Sequence, residues 1–168
     1  MWDVHPSIFV VALCSPAQCA ALLRRVDRQR DGEAPNSMNK YGVVLGGELK
    51  PLLARLVAHH IAPIAADEYP ELQPLKKHPY AFVVDYDVKK QRSLAAHFDS
   101  SDVTLNLCLG GEFRGGAVVF YKGNKPEFEY QHDVGYAVVH RGSHIHRAKP
   151  ITRGTRSNLI LWCSARAA

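Results

Sequence analysis

Paired cysteine spacings, long hydrophobic runs and low-complexity tracts are all missing from this chain, and each absence removes a class of protein. Cys14, Cys19, Cys108 and Cys163 form no CxxC pair and sit mostly in apolar stretches. A disulfide framework or a zinc ribbon needs close, regular cysteine pairs, so these four read as reduced core thiols of an intracellular protein. The apolar run from Ile8 to Leu13 is far shorter than the roughly 20 residues that cross a bilayer. No charged-then-apolar signal pattern with a small-residue cleavage site opens the chain. A soluble, cytoplasmic protein with no membrane partner is therefore the expectation. Acidic residues are the minority, 16 Asp and Glu against 21 Lys and Arg, for a net charge of +5. The basic residues stand in short groups such as Arg24-Arg25, Lys76-Lys77 and Lys89-Lys90, not in a continuous stripe. Solvated faces are expected from such groups, and a nucleic-acid partner is not.

What is present fits one domain with its own core, at 168 residues and 46% hydrophobic content. Residues 1–79 read as a strand and helices that support the rest. Ile8 to Leu13 forms a buried strand. Ser15 caps a helix with Pro16 in its first turn and Ala20, Leu22, Leu23 and Val26 along it. A second helix is expected from Glu48 to Ala65, with Leu49, Leu52, Leu53, Leu56, Val57 and Ile61 at helical spacing and Pro63 bending or ending it. Pro70, Pro74 and Pro79 then mark an extended linker. From residue 80 to 168 the pattern changes to about eight short strands: Tyr80 to Tyr86, Leu94 to Asp99, Val103 to Leu109, Ala117 to Tyr121, Glu127 to Tyr130, Gly135 to His140, Ser143 to Ala148 and Ser157 to Trp162. The fold class is α+β, mainly β, with a jelly-roll core and supporting N-terminal helices.

Within that core, His97-Phe98-Asp99 places an imidazole and a carboxylate two residues apart. Side chains alternate faces along a strand, so positions 97 and 99 enter one cavity together. His146 supplies a second imidazole, and Arg156 follows it by ten residues. Two imidazoles and one carboxylate on three corners of an octahedron leave three corners open, the facial triad of non-haem Fe(II) oxygenases. An arginine beyond the last ligand is suited to hold the carboxylate of a chelating co-substrate through paired N–H donors. Two rival readings stay open at this point. His140, His144 and His146 could form the three-histidine site of a cupin-type metal protein, or the fold could be a non-catalytic binding module. His144 is then either beside the metal, on the substrate side, or simply at the surface. His132 is expected in a loop and Arg153 in solvent. Thr104 and Asn106 either touch a ligand or pack the barrel, and Trp162, which shares the parity of Arg156, either lines the pocket or packs in the core.

Several segments together resemble the 2-oxoglutarate oxygenases of the prolyl and lysyl hydroxylase branch, whose fold is a double-stranded β-helix. They are Phe82-Val83-Val84-Asp85-Tyr86, His97-Phe98-Asp99-Ser100-Ser101, Thr104-Leu105-Asn106, Gly115-Gly116-Ala117, and His146 through Pro150-Ile151 to Gly154-Thr155-Arg156. The upstream run from Pro35-Asn36-Ser37-Met38 to Leu45 is similar to the 2-oxoglutarate and iron-dependent oxygenase domain-containing protein 2 group, as are His140-Arg141-Gly142 and Asn158-Leu159. The resemblance implies that His97, Asp99 and His146 are iron ligands and catalytic residues. It implies that Arg156 meets the distal carboxylate of 2-oxoglutarate, with Asn106 and Tyr86 as further co-substrate contacts. Cys108 stands where prolyl hydroxylases often carry a co-substrate-binding tyrosine, which leaves Asn106 as the candidate for that work. The implied cofactors are Fe(II), 2-oxoglutarate and O2, with ascorbate as a candidate reductant. The implied reaction is a dioxygenase's: an unactivated C–H of a protein side chain is hydroxylated while succinate and CO2 are released. A protein or peptide substrate is favoured over a small molecule, and a small-molecule oxygenase of the same fold is the alternative.

Overall fold

The computed structural model of the chain describes residues 2–5, as backbone, and 7–166. Two sheets face each other. The larger is built from β1 (Trp2–His5), β2 (Ile8–Ala12), β3 (Gly42–Val44), β4 (Tyr80–Asp87), β6 (Val103–Gly110), β7 (Phe113–Gly115), β10 (Tyr136–Arg141) and β12 (Ile151–Cys163). Its order is β1-β2-β10-β6-β12-β4-β3, with β7 paired to the start of β12. The smaller sheet runs β5-β11-β8-β9, from β5 (Leu94–His97), β8 (Val118–Lys122), β9 (Lys125–Tyr130) and β11 (His146–Ala148). This is the double-stranded β-helix expected from the sequence.

Alternation along the strands divides the molecule into an outer core and an inner one. Leu105, Leu107 and Leu109 of β6, with Leu159 and Leu161 of β12, point away from the smaller sheet and pack under the helices. The other parity faces the interior between the sheets. There, two apolar clusters stand apart, one around Phe82, Val84, Ile151 and Ile160, the other around Ile8, Val10, Val118 and Phe120. Thr104, Asn106, Arg156 and Asn158 are buried or half-buried residues of that same inward parity. The site is therefore a polar strip inside an otherwise apolar barrel.

Helix α1 (Pro16–Asp27) begins as its sequence dictates. The Ser15 hydroxyl accepts from the Gln18 amide, and the Gln18 side chain accepts in return from the Ser15 amide. Cys19, Leu22 and Val26 form its buried face. The second helical region does not end at Pro63 but is interrupted just before it and continues to Glu68. A 3₁₀ turn leads into α2 (Lys50–Leu56), followed by a π turn over Val57–Ile61 and then α3 (Ala62–Glu68). The Ala62 amide bonds to the Val57 carbonyl, five residues back. That wider turn seats Pro63 in the first turn of α3, where its missing N–H costs nothing. Ile61, Ile64 and Ala65 consequently stay buried against the sheet.

Strand bounds also shift. β5 stops at His97, so Asp99 lies just beyond it, its amide held by the Gly142 carbonyl at 2.9 Å. β11 begins only at His146. β12 is 13 residues long and starts six residues earlier than expected, because Gly154 (φ 74°) lets one strand change partners from β7 to β6 and β4. Any Cβ at Gly154 would overlap the Glu112 carbonyl, and the left-handed backbone there disfavours other residues. Gly154→Ala is expected to lower the unfolding free energy by about 1–3 kcal/mol, read as a drop in the urea midpoint. An unchanged midpoint would show that the turn is not needed.

Candidate functional site

The three donors expected to converge do converge. His97, at the end of β5, pairs in register with His146, at the start of β11, so the smaller sheet itself sets the two imidazoles side by side. Asp99 reaches between them from the turn after β5. Its carboxylate lies 3.6 Å from His97 Nε2 and 3.9 Å from His146 Nε2, and the ligand atoms of all three fall within 4.8 Å of one another. The other ring nitrogens are already committed. His97 Nδ1 donates to the Ala95 carbonyl at 2.8 Å, and His146 Nδ1 donates to the His144 carbonyl at 2.9 Å. Each bond fixes the tautomer that leaves Nε2 as a lone-pair donor toward the shared centre. Two neutral imidazoles and one carboxylate, with nothing from the protein on the far side, fit a hard-to-borderline divalent ion such as Fe(II).

The electrostatics agree with that use. Burial by itself would raise the Asp99 carboxyl. Hydrogen bonding with His97, the nearby His146 and His140, and the Thr104 hydroxyl at 2.6 Å outweigh burial and hold it at about 2. Asp99 is therefore ionised and oriented before any ligand arrives. Burial lowers His146, which keeps it neutral. Burial also acts to lower His97, but the adjacent Asp99 carboxylate and the hydrogen bond to the Ala95 carbonyl prevail and raise it, so a metal at Nε2 competes with a proton there. The three-histidine alternative has no such geometry. His140 is buried with its Nδ1 against the Arg141 carbonyl, its ring 6.5 Å from that of His144, and among the described residues no convergent metal-ligating group other than His97, Asp99 and His146 forms.

A cavity of about 260 Å³ opens at the triad. Tyr86, Asn106, Ile160 and Trp162 line it, so the pocket-lining alternative for Trp162 holds, while Met38 and Phe98 stand at its margin, 41% and 67% exposed. Arg156 pairs with Tyr86 across β12 and β4 and is only 1% exposed. Its guanidinium carbon lies 4.6 Å from the Tyr86 ring centre and 5.3 Å from that of Phe113, while Nη1 donates to the Gly116 carbonyl. No carboxylate pairs with Arg156 among the described residues, and its Nε has no hydrogen-bond partner. Arg153, by contrast, is exposed, as expected. Asn106 accepts from Asn158 Nδ2 at 2.6 Å, which fixes its amide orientation.

The structure adds to the sequence reading at three buried polar residues. Thr104, a ligand contact or packing group on its sequence, secures Asp99 with its hydroxyl. Asn158 shares the inward parity of Arg156, and that parity is the signal that would have found it. His132 left no signal: it is in a loop, as expected, but 2% exposed, with both ring nitrogens unpartnered. Burial, reinforced by the charge of Arg156, pushes His132 down to about 3.

No family model matches the chain. The 2-oxoglutarate and iron-dependent oxygenase domain-containing protein ICU11 of Arabidopsis thaliana is 35% identical over 186 residues, covering 97% of this chain and 46% of that protein. Procollagen-lysine,2-oxoglutarate 5-dioxygenase 1 of Rattus norvegicus is 33% identical over 107 residues, 61% of this chain and 14% of that protein. The crystal structure of the viral collagen prolyl hydroxylase from Paramecium Bursaria Chlorella virus-1, as its 2OG complex, matches with a TM-score of 0.71 at 14% identity, covering 95% of this chain and 97% of that one. Fold and triad together are those of the iron and 2-oxoglutarate dependent oxygenases. Within that class the chain belongs to the family of the 2-oxoglutarate and iron-dependent oxygenase domain-containing proteins, and it spans about half the length of the curated members it matches. No helix among the described residues is long and apolar enough to cross a membrane.

The buried histidines make stability depend on pH. His132 titrates at about 6.5 when unfolded and about 3 when folded, so between these values the unfolded chain takes up a proton that the folded chain refuses. Stability is thus complete above pH 6.5 and falls on acidification toward 3, by about 1.4 kcal/mol per pH unit for this one group. Urea unfolding of wild type and His132→Phe from pH 7 to 4 should show a shallower pH slope in the variant. Equal slopes would place the proton uptake elsewhere.

Proposed function

We propose that the chain is the catalytic domain of a dioxygenase that uses Fe(II), 2-oxoglutarate and O2 to hydroxylate an unactivated C–H of a protein side chain. The observation that carries the reading is Arg156. An unpaired cation at the bottom of a barrel is costly unless an anion arrives to meet it. The interior offers that anion a route: a cavity that begins at two imidazoles and a carboxylate and is lined by Tyr86, beside the guanidinium. A ligand with carboxylates at both ends, one chelating at the triad and one meeting Arg156, satisfies both needs at once, and 2-oxoglutarate is such a molecule.

In this assignment His97, Asp99 and His146 hold the metal, and iron with its co-substrate, when bound, supplies the oxidising chemistry that yields succinate and CO2. The chain's own residues do the rest. Thr104 and the carbonyls of Ala95 and His144 keep the donors aimed. Arg156 binds the distal carboxylate, with Tyr86 beside it, and Asn106, held by Asn158, faces the bound co-substrate. The apolar walls from Phe82, Val84 and Ile160 exclude water from the buried end. Phe98 and Met38 at the margin suit a substrate that presents one side chain inward while its remainder rests outside. That arrangement favours a polypeptide over a small molecule, and a lysyl hydroxylase stands among the relatives.

The test is anaerobic titration with Fe(II) and then 2-oxoglutarate, followed by the visible metal-to-ligand charge-transfer band. Wild type should develop the band, and His97→Ala should not. Arg156→Ala should still bind iron but need about 30- to 1000-fold more 2-oxoglutarate, the loss of a charged hydrogen-bonded pair worth about 2–4 kcal/mol. Iron binding with no band in wild type would sink the co-substrate assignment, and full affinity in Arg156→Ala would sink the role of that residue.

A further inference from the structure

A second concavity, of about 640 Å³, lies outside the barrel between α2 and the segment that leads into β4. Six basic residues line it: Lys50 and Arg55 from α2 and its start, Lys76, Lys77 and His78 from the segment before β4, and Arg166 just past β12. No carboxylate lines it. Elsewhere many of the cations are paired, as Arg25 and Arg28 are with Glu48, Arg30 with Asp85, Arg141 with Glu71 and Lys149 with Glu129. Among the described residues none of these six makes an ion pair. The floor is apolar, from Ala54, Val57 and Leu75.

The walls are fixed to the catalytic barrel. The Lys76 amide donates to the Ser164 carbonyl and the Arg166 amide to the Pro74 carbonyl, both at 2.8 Å, tying the basic segment to the end of β12. Two residues past His78, Tyr80 pairs with Trp162 across the strands, with ring centres 5.8 Å apart. Trp162 lines the catalytic cavity, and Tyr80 is 43% exposed. The segment that carries Lys76, Lys77 and His78 thus leads within two residues to an aromatic pair, one ring of which lines the catalytic cavity.

We propose that this groove receives an acidic segment of the polypeptide whose target side chain enters the cavity, an inference that rests on the polypeptide reading above. Like charges left unpaired around one trough repel each other and are relieved by an acidic partner. An apolar floor between cations suits a peptide, whose Asp or Glu side chains reach the rim while its neighbours cover the floor. No Phe, Tyr or Trp lines the groove, which argues against a single-stranded nucleic acid, since such sites stack successive bases on large rings. The cations come from three separate elements, which favours an extended ligand over one small anion.

The experiment is fluorescence anisotropy at low and physiological salt with three labelled probes: a Glu-rich peptide, the same peptide with every Glu replaced by Gln, and a single-stranded DNA of similar length. The Glu peptide should bind, weaken as salt rises, and lose about tenfold or more in affinity in Lys76→Glu/Lys77→Glu. Lys89→Glu/Lys90→Glu, which makes the same charge change beyond the other end of β4, should bind within about twofold of wild type. Equal binding of the Gln peptide, equal loss in the Lys89/Lys90 variant, or tighter binding of the DNA would each overturn the proposal. The charge-transfer band is read in the same proteins: its absence from wild type overturns the co-substrate assignment alone, whereas a normal band with no Glu-peptide binding overturns the groove alone.

Discussion

A guanidinium held inside a protein without a carboxylate partner is the constraint around which the interior is arranged. Arg156 stands on β12 two residues past Gly154, where that strand changes partners, and its Nη1 donates to the carbonyl of Gly116, a residue with φ of 76°. A Cβ on Gly116 would press on the guanidinium itself, so the turn before β8 and the arginine are shaped to each other. Tyr86 and Phe113 supply ring contacts that soften the desolvation of the charge without neutralising it. His132, forced to remain neutral nearby, avoids adding a second positive charge. The result is a positive potential at the closed end of the barrel that the folded chain leaves uncompensated.

The open end is arranged with the opposite logic. There a carboxylate is ionised and oriented by a hydroxyl and by imidazoles whose tautomers are set by backbone carbonyls. The polar groups at this end that carry the chemistry have defined partners, so the donors are pre-aimed and little reorganisation is needed when a ligand binds. Two apolar clusters flank the strip that joins the ends.

Much of this was legible in the sequence because alternation on strands is rigid. Arg156 with Asn158 follows the same two-residue rule that places Leu105 and Leu107 in the outer core, whereas Asp99 joins His97 from the turn after β5. The helix capped by Ser15 was legible because its capping box is local. The parts that were not legible depend on distant partners. Pro63 looks like a helix terminus until a π turn absorbs it, and nothing in Val57 to Ile61 announces that turn. The early start of β12 requires β7, a three-residue strand too short to carry a pattern. His132 is buried by the fold around Arg156, not by its own neighbours. His140 and His144 lie close in sequence to His146; the resemblance singles out His146, and the pairing of β11 with β5 is the physical reason that its imidazole faces His97.

The division between a closed, charged end and an open, weakly polar margin also bears on what the barrel can accept. On the proposed reading, selectivity at the Arg156 end is electrostatic and calls for a small anion of defined length, because the metal-ligating group and Arg156 are fixed to different strands. Selectivity at the margin is not built on charge: Phe98 and Met38 offer apolar surface, and the exposed Ser37 and Ser100 offer hydroxyls. A substrate held only by such contacts would be poorly discriminated, since apolar surface distinguishes shapes by about 1–3 kcal/mol per methylene-sized difference. On the proposed reading, discrimination among polypeptides gains from contacts beyond the mouth. The unpaired cations of the groove beside α2 are the directed charge that the proposal assigns to that purpose.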